Sequence, residues 1–325
     1  MSSADQPDIS EQPGERPSVP PLARSTLDRA AHHRRDASWL EQAWKTGLVL
    51  VVDTAATGRA LVRDREDGSA ELVLLETSAA PEGERLFLGV DPDGTPLFTV
   101  DAPLPEIEDA RGRTLRDVGH RLDDRDAGLF SAAAALVNWH VSHRFSPLTG
   151  QPTEITEAGW SRTDPDGKQM WPRTDPAMIV LVHDGVPGPE GRCLLGRNAA
   201  WRMPDGSLRF STLAGFVEPG ESVEAAVLRE VQEEVGITVR DLKYEGSQAW
   251  PYPGSLMLGF TARADRDDPI RVDPEEIAEA RWFTRSDVHQ MRGDGYRDPE
   301  TGAPVRLPMN SSIALYLIER WLRSP

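Results

Sequence analysis

Cysteine is nearly absent from this sequence of 325 residues: the single one, Cys193, stands in "GRCLLGR". One thiol allows no disulfide within the chain and no zinc site built on cysteines. The ordinary expectation for Cys193 is a buried strand position. Long apolar runs are missing too. "GLVLVV" at 47–52 is among the longest, far short of the roughly 20 residues a membrane helix needs. Cations are scarce: 36 Lys and Arg face 53 Asp and Glu, for a net charge of −17. That balance argues against a broad electrostatic footprint on nucleic acid, though not against an anionic substrate met through metal ions. The opening "MSSADQPDISEQPGERPSVPP" has neither the basic start nor the apolar centre of a secretory signal. It is expected to be a disordered tail over 1–21, in a cytoplasmic protein with no membrane partner.

What is present has two textures. From 47 to 101, the short apolar segments "GLVLVVD", "AELVLLE", "RLFLGVD" and "TPLFTVD" are separated by turn-forming stretches such as "DPDG", which predicts strands. A helix is expected within 26–45 and another over 126–145. Together these make residues 22–143 an α+β domain. Residues 144–172, rich in Gly, Pro, Thr and Asp, are expected to be a linker or small irregular module. Residues 173–325 form a second domain. "AMIVLVHD", "GRCLLGRN", "STLAGF", "SLMLGFTARA" and "EEIAEARWFT" read as strands. Residues 222–235 and the closing "SSIALYLIERWLR" read as helices. Strands surrounding helices predict an α/β/α sandwich with a mixed sheet.

The stretch "GFVEPGESVEAAVLREVQEEVGI", 215–237, raises an electrostatic problem. On a helix at 100° per residue, Val223, Ala226 and Val227 share a face that Glu230 and Glu234 continue. Carboxylates about 5 Å apart repel by roughly 3 kcal/mol at an effective dielectric near 20, and the helix C-terminus adds to the repulsion. The ordinary explanation of a Glu-rich helix is a solvated face. An apolar stripe that turns acidic instead calls for protons or hard divalent cations. Glu233, four residues after Arg229, is placed for an ion pair. Gly215 and Gly220 shape the entry loop, and Gly236 permits a left-handed helix end.

These residues resemble the signature of the Nudix hydrolases, G-x5-E-x7-R-E-U-x-E-E-x-G-U with U aliphatic. The match runs through Gly215, Glu221, Arg229, Glu230, Val231, Glu233, Glu234, Gly236 and Ile237 without departure. Chance agreement is on the order of 10⁻¹⁰ per start position. The resemblance implies cleavage of a diphosphate linkage with two to three Mg²⁺ or Mn²⁺ ions. It implies that Glu230 and Glu234 ligate metal, that Glu233 ligates or acts as base, and that Glu221 and Arg229 form a supporting salt bridge. The proton acceptor is Glu233 or Glu234.

Further on, "SQAWPYPGS" (247–255) is a stiff aromatic segment, suited to a pocket wall or simply to a packed loop. It is similar to the S-Q-P-W-P-F-P-x-S array of NADH pyrophosphatases, with Ala249 and Tyr252 departing. That resemblance implies hydrolysis of NAD(H) to AMP and NMN(H), and the same linkage occurs in a 5′-NAD cap on RNA. It implies that Phe216 stacks on adenine and that Trp171 of a second copy covers the other face, in a homodimer. It places Gln248, Ser255, Met257 and Ala314 along the nucleotide, Glu276 as a remote metal ligand with Glu279 at the same site, and the Ala214 carbonyl as a further ligand. Relatives carry a four-cysteine zinc ribbon between the domains. Here "HRFSPLTGQPT" has Ser146 and Thr149 at the first cysteine positions, and the second pair falls near Asp164–Gly167, so no zinc is expected. His140 and His143 are expected to be structural. The alternatives are another Nudix substrate, such as ADP-ribose or a dinucleoside polyphosphate, or a non-catalytic nucleotide sensor, which would be expected to lack box glutamates.

Overall fold

The computed structural model describes residues 19–55 and 57–324. Most of the expected 1–21 tail lies outside the described residues. Pro20 is the exception that corrects its end: it is buried and packs beside Gly246. Leu22 N–H, two residues on, donates to Gln248 Oε1 at 3.2 Å.

The N-terminal part runs α1 (Ala37–Thr46), β1 (Leu48–Val52), β2 (Arg59–Asp64), β3 (Ala70–Leu72), β4 (Leu75–Glu76), β5 (Leu86–Val90), β6 (Pro96–Asp101), β7 (Arg111–Thr114), α2 (Leu115–Val118) and α3 (Asp124–Ser142). The helix expected within 26–45 starts later than its pattern suggests. Ala30 is in a left-handed conformation, and the Asp36 carboxylate accepts from Trp39 N–H, capping the helix at that point. The segment "AELVLLE" is broken into β3 and β4. Two sheets, β4-β1-β6-β5 and β3-β2-β7, share a core with α3. That helix is buried almost all round, as an alanine-rich helix of low polarity must be.

Residues 144–172 are more ordered than a linker. The strands β8 (Glu154–Thr156), β9 (Ser161–Thr163) and β10 (Gln169–Met170) form a small antiparallel sheet.

Next come β11 (Asp175–His183), β12 (Arg192–Asn198), β13 (Leu208–Arg209), β14 (Leu213–Phe216), α4 (Val223–Val235), β15 (Arg240–Trp250), β16 (Ser255–Arg263), β17 (Ile277–Thr284), α5 (Arg285–Arg292), β18 (Val305–Arg306) and α6 (Ile313–Arg323). The central strand β11 pairs parallel with β16 and antiparallel with β12 and β14, giving a mixed six-stranded sheet. Its side chains alternate strictly. Met178, Val180 and Val182 enter a core with Ala226, Val227, Val231 and Val235 of α4. Ile179 and Leu181 enter the opposite core with Ile313, Leu317 and Ile318 of α6. That period of two puts one helix layer on each face. Cys193 is fully buried in β12, and burial pushes its thiol pKa up. Among the described residues, no helix is long and apolar enough to cross a membrane.

Candidate active site

The helix α4 begins at Ser222, whose hydroxyl accepts from Ala225 N–H, and ends at Gly236 with φ 69°. Its acidic face meets two other elements. One is β14, which crosses beside Glu230: a Cβ on Gly215 would lie 1.9 Å from the Glu230 carboxyl carbon. Only glycine lets that carboxylate lie against the strand, which is the physical reason for the first residue of the motif. The other element is the turn before β17. Arg271 N–H donates to Val235 O at 2.8 Å and Asp273 N–H to Glu234 O at 3.1 Å, satisfying carbonyls at the helix end. Ala199 N–H, just past β12, donates to Glu276 O at 2.7 Å. The turn thereby brings Glu276 to the helix.

The result is a group of three carboxylates, Glu230, Glu234 and Glu276, with ligand atoms all within 4.8 Å of one another. Burial, with Glu230 and Glu276 beside it, pushes Glu234 up to about 8. Burial also raises Glu230, against the pull of Arg229. Glu234 Oε2 is buried without a hydrogen-bond partner. An orphaned carboxylate oxygen facing two further carboxylates is a donor set that fits a hard divalent cation.

Arg229 organises the exposed flank. Its Nε and Nη2 donate to the two Glu221 oxygens, each at 2.9 Å. Nη1 reaches Glu230 Oε1 at 2.9 Å and Glu233 Oε2 at 3.0 Å, and Nη2 also reaches Phe216 O at 2.9 Å. All five donors point to acceptors. Glu233 lies outside the group of three, with its side chain 59% exposed.

A cavity opens beside the carboxylates. Its walls include Glu234, Ala214, Met257 and Ala314, all singled out from the sequence. They also include Asn198, Trp201, Arg209, Trp250 and Met309, of which only Trp250 stood in a segment the sequence marked as a pocket wall. The rest sit on separate loops and strands, and nothing in their local pattern signals a shared wall. Phe216 is 60% exposed at the end of β14, and Trp171 is 57% exposed after β10.

Three expected residues lie elsewhere. Gln248 is buried and ties the two parts of the chain together: its Oε1 accepts from Leu22 N–H, and its Nε2 donates to Ser311 O at 3.1 Å. Glu279 is taken up by Arg197 at 3.6 Å and by Arg281. Ser255 borders a different cavity, between α3 and the Pro251–Pro253 loop. Tyr252 packs against the N-terminal core, where its hydroxyl accepts from Arg116 N–H at 3.0 Å.

At Ser146, Thr149 and Asp164, where the sequence offers no cysteine, the chain closes a hydrogen-bonded cluster. Asp164 is 4% exposed. Its Oδ2 accepts from the Thr149 hydroxyl at 3.0 Å, and its Oδ1 from Lys168 N–H at 2.8 Å and Asp166 N–H at 3.1 Å. Burial pushes this carboxyl up, but those bonds and one from Ser146 hold it below the usual range. Two hydroxyls and one carboxylate lack the nitrogen and sulfur donors of a structural zinc site.

Comparisons with known proteins agree with this architecture. A model described as NUDIX domain matches residues 173–301. One described as NADH pyrophosphatase-like rudimentary NUDIX domain matches residues 46–139. NAD-capped RNA hydrolase NudC of Mycobacterium tuberculosis (strain H37Rv) is 43% identical over 316 residues, covering 94% of this chain and 95% of that protein. NAD-capped RNA hydrolase NUDT12 of Homo sapiens is 37% identical over 214 residues, covering 62% of this chain and 43% of that protein. Among solved structures, a NUDIX hydrolase from Nitrosomonas europaea matches with a TM-score of 0.37 and 19% identity, over 56% of this chain and 94% of that one. With its glutamates gathered by α4, β14 and the turn at 273–277, and with a relative matched along nearly its whole length, the chain belongs to the NUDIX hydrolases.

Proposed function

We propose that this protein hydrolyses the diphosphate bond of NAD(H), giving AMP and NMN(H), and acts on the same bond in an NAD cap at the 5′ end of RNA. The observation that carries this is the orphaned Glu234 oxygen among three carboxylates beside a cavity. The substrate assignment is supported by relatives named NAD-capped RNA hydrolase that match most of the chain.

Glu230, Glu234 and Glu276 would hold the divalent ions, two or three Mg²⁺ or Mn²⁺, with Ala214 O as a further donor. Such ions supply charge neutralisation to a diphosphate and acidity to a water. Glu233 has one oxygen engaged by Arg229 and is otherwise exposed. That free, exposed oxygen supports Glu233, rather than Glu234, as the carboxylate that accepts the proton of the attacking water. Arg229, anchored by Glu221, fixes where Glu233 can reach. Met257 and Ala314 shape the cavity wall. The exposed Phe216 ring stacks on adenine, and Trp171 of a second copy closes the other face, so the working form is a homodimer. The ribbon module works without zinc, held by the Asp164 cluster. The single buried thiol suits a cytoplasmic enzyme.

The test is chromatography of products from NADH with Mg²⁺ or Mn²⁺, with ADP-ribose, a dinucleoside polyphosphate and NAD-capped RNA run in parallel. AMP and NMNH as the main products support the proposal. Preferential cleavage of ADP-ribose would reassign the substrate. Gel filtration showing only monomer would remove the role given to Trp171.

A further inference from the structure

The cavity beside the carboxylates has a second unsatisfied group, of opposite charge. Arg209, on β13, lines it, and its Nε is buried with no hydrogen-bond partner. The neighbouring guanidinium groups are engaged: Arg197 with Glu279, Arg281 with Glu279 and Asp298, Arg229 with three glutamates. Among the described residues, Arg209 has no carboxylate within ion-pair distance. A chain with 17 more acids than bases has acidic partners to spare. Leaving a part-buried guanidinium unpaired is unfavourable for the fold alone. The loop from Ala199 to Ser207 brings a second group to the same cavity, the Trp201 ring, which is 40% exposed. A cation and an aromatic face beside a carboxylate group that fits divalent cations match the parts of a nucleoside diphosphate: phosphate oxygens and a flat ring.

We propose that Arg209 binds a phosphate oxygen of the substrate's diphosphate, and that Trp201 stacks on the ring of the nucleotide half that enters the cavity. The proposal rests on the nucleotide-diphosphate reading of the site and adds two residues that neither the motif nor the aromatic array contains. One half of the site meets the diphosphate with carboxylate-held cations. Arg209 meets it directly, with a permanent charge and a forked donor geometry.

The experiment uses the full chain and two measurements. Calorimetric titration with ADP in the presence of Mg²⁺ reads binding without turnover, and steady-state hydrolysis of NADH reads KM and kcat. Arg209→Gln is expected to weaken ADP binding and raise the KM for NADH by about 10- to 100-fold, with kcat changed much less. Arg209→Lys should recover part of the loss, and Trp201→Ala should raise the KM for NADH by at least about fivefold. The melting temperature of Arg209→Gln should equal or exceed that of the wild type, since the cation has no partner to lose. The proposal is overturned if Arg209→Gln binds ADP within twofold of wild type, if kcat alone falls, or if the variant melts lower and Lys restores nothing. It is also overturned if the wild type binds no ADP at millimolar concentration. The two readings fail separately. ADP binding that depends on Arg209 without NADH hydrolysis removes the NAD(H) assignment and keeps Arg209. NADH hydrolysis indifferent to Arg209 does the reverse.

Discussion

Two polar clusters in this molecule are built from similar groups and end in opposite states. In the ribbon module, Asp164 is surrounded by donors from Thr149, Ser146, Asp166 and Lys168, and the cluster is complete. On α4, Glu234 is equally buried, yet it faces Glu230 and Glu276 and one of its oxygens has no partner. A buried carboxylate with its hydrogen bonds made contributes to stability; one without them is tolerated only where something else supplies the charge. The first cluster holds the fold. The second is unfavourable to it, and that difference separates a structural site from a chemical one.

The largest expected effect comes from breaking the incomplete cluster. Glu234→Gln should lower NADH turnover by about three orders of magnitude or more while the protein stays folded. Without metal, this variant should melt no lower than wild type, because it removes a carboxyl whose charged form is disfavoured by burial and by its neighbours. Added Mg²⁺ or Mn²⁺ should raise the melting temperature of the wild type and not of the variant. Wild-type turnover in Glu234→Gln would end the assignment. Gly215→Ala is a graded version: the new Cβ displaces Glu230, and activity is expected to fall by about two orders of magnitude.

The complete cluster should respond differently. Asp164→Ala is expected to lower stability, measured by denaturant titration, because it leaves the Thr149, Asp166 and Lys168 donors without their acceptor. No divalent ion should restore that loss. Restoration by zinc or magnesium would show that the ribbon is a metal site after all.

The smallest effect is set by pH. His140 Nε2–H donates to Gly159 O at 2.7 Å, and its Nδ1 accepts from Arg162 Nη1 at 3.0 Å. Burial, reinforced by the Arg162 charge, drives the ring down to about 4, although the Gly159 carbonyl pulls the other way. Between pH 6.5 and about 4 the unfolded chain binds this proton and the folded protein does not. Stability should therefore fall with pH across that window, by at most about 3 kcal/mol. His140→Gln should flatten that part of the stability profile. An unchanged profile would mean that His140 is not neutral in the fold.

Much of this was legible in advance, for reasons that differ by residue. Glu230 and Glu234 share a face of α4 with Val227 because the helix has 3.6 residues per turn. Gly236 ends that helix because only a residue at ease with positive φ continues the chain there. Short apolar runs likewise marked β11 and β16. Other elements were hidden. The strands β8–β10 are too short and polar to show a pattern. Gln248, with the same local sequence whether it faces ligand or protein, became a tie to Leu22 and Ser311 because those partners arrive from distant positions. Glu279 lay within reach of Arg197 through strand pairing between β12 and β17.

The sequence by itself determined the acidic helix, the glycine that ends it, and the absence of thiolates from the ribbon, because each rests on local geometry or on residue chemistry. The tertiary structure alone decided that Glu276 joins the helix, that Glu233 stands apart beside Arg229, and that Trp201 and Arg209 share a cavity with Glu234. Those outcomes depend on which distant segments satisfy one another's hydrogen bonds, and a helical or strand period carries no record of that.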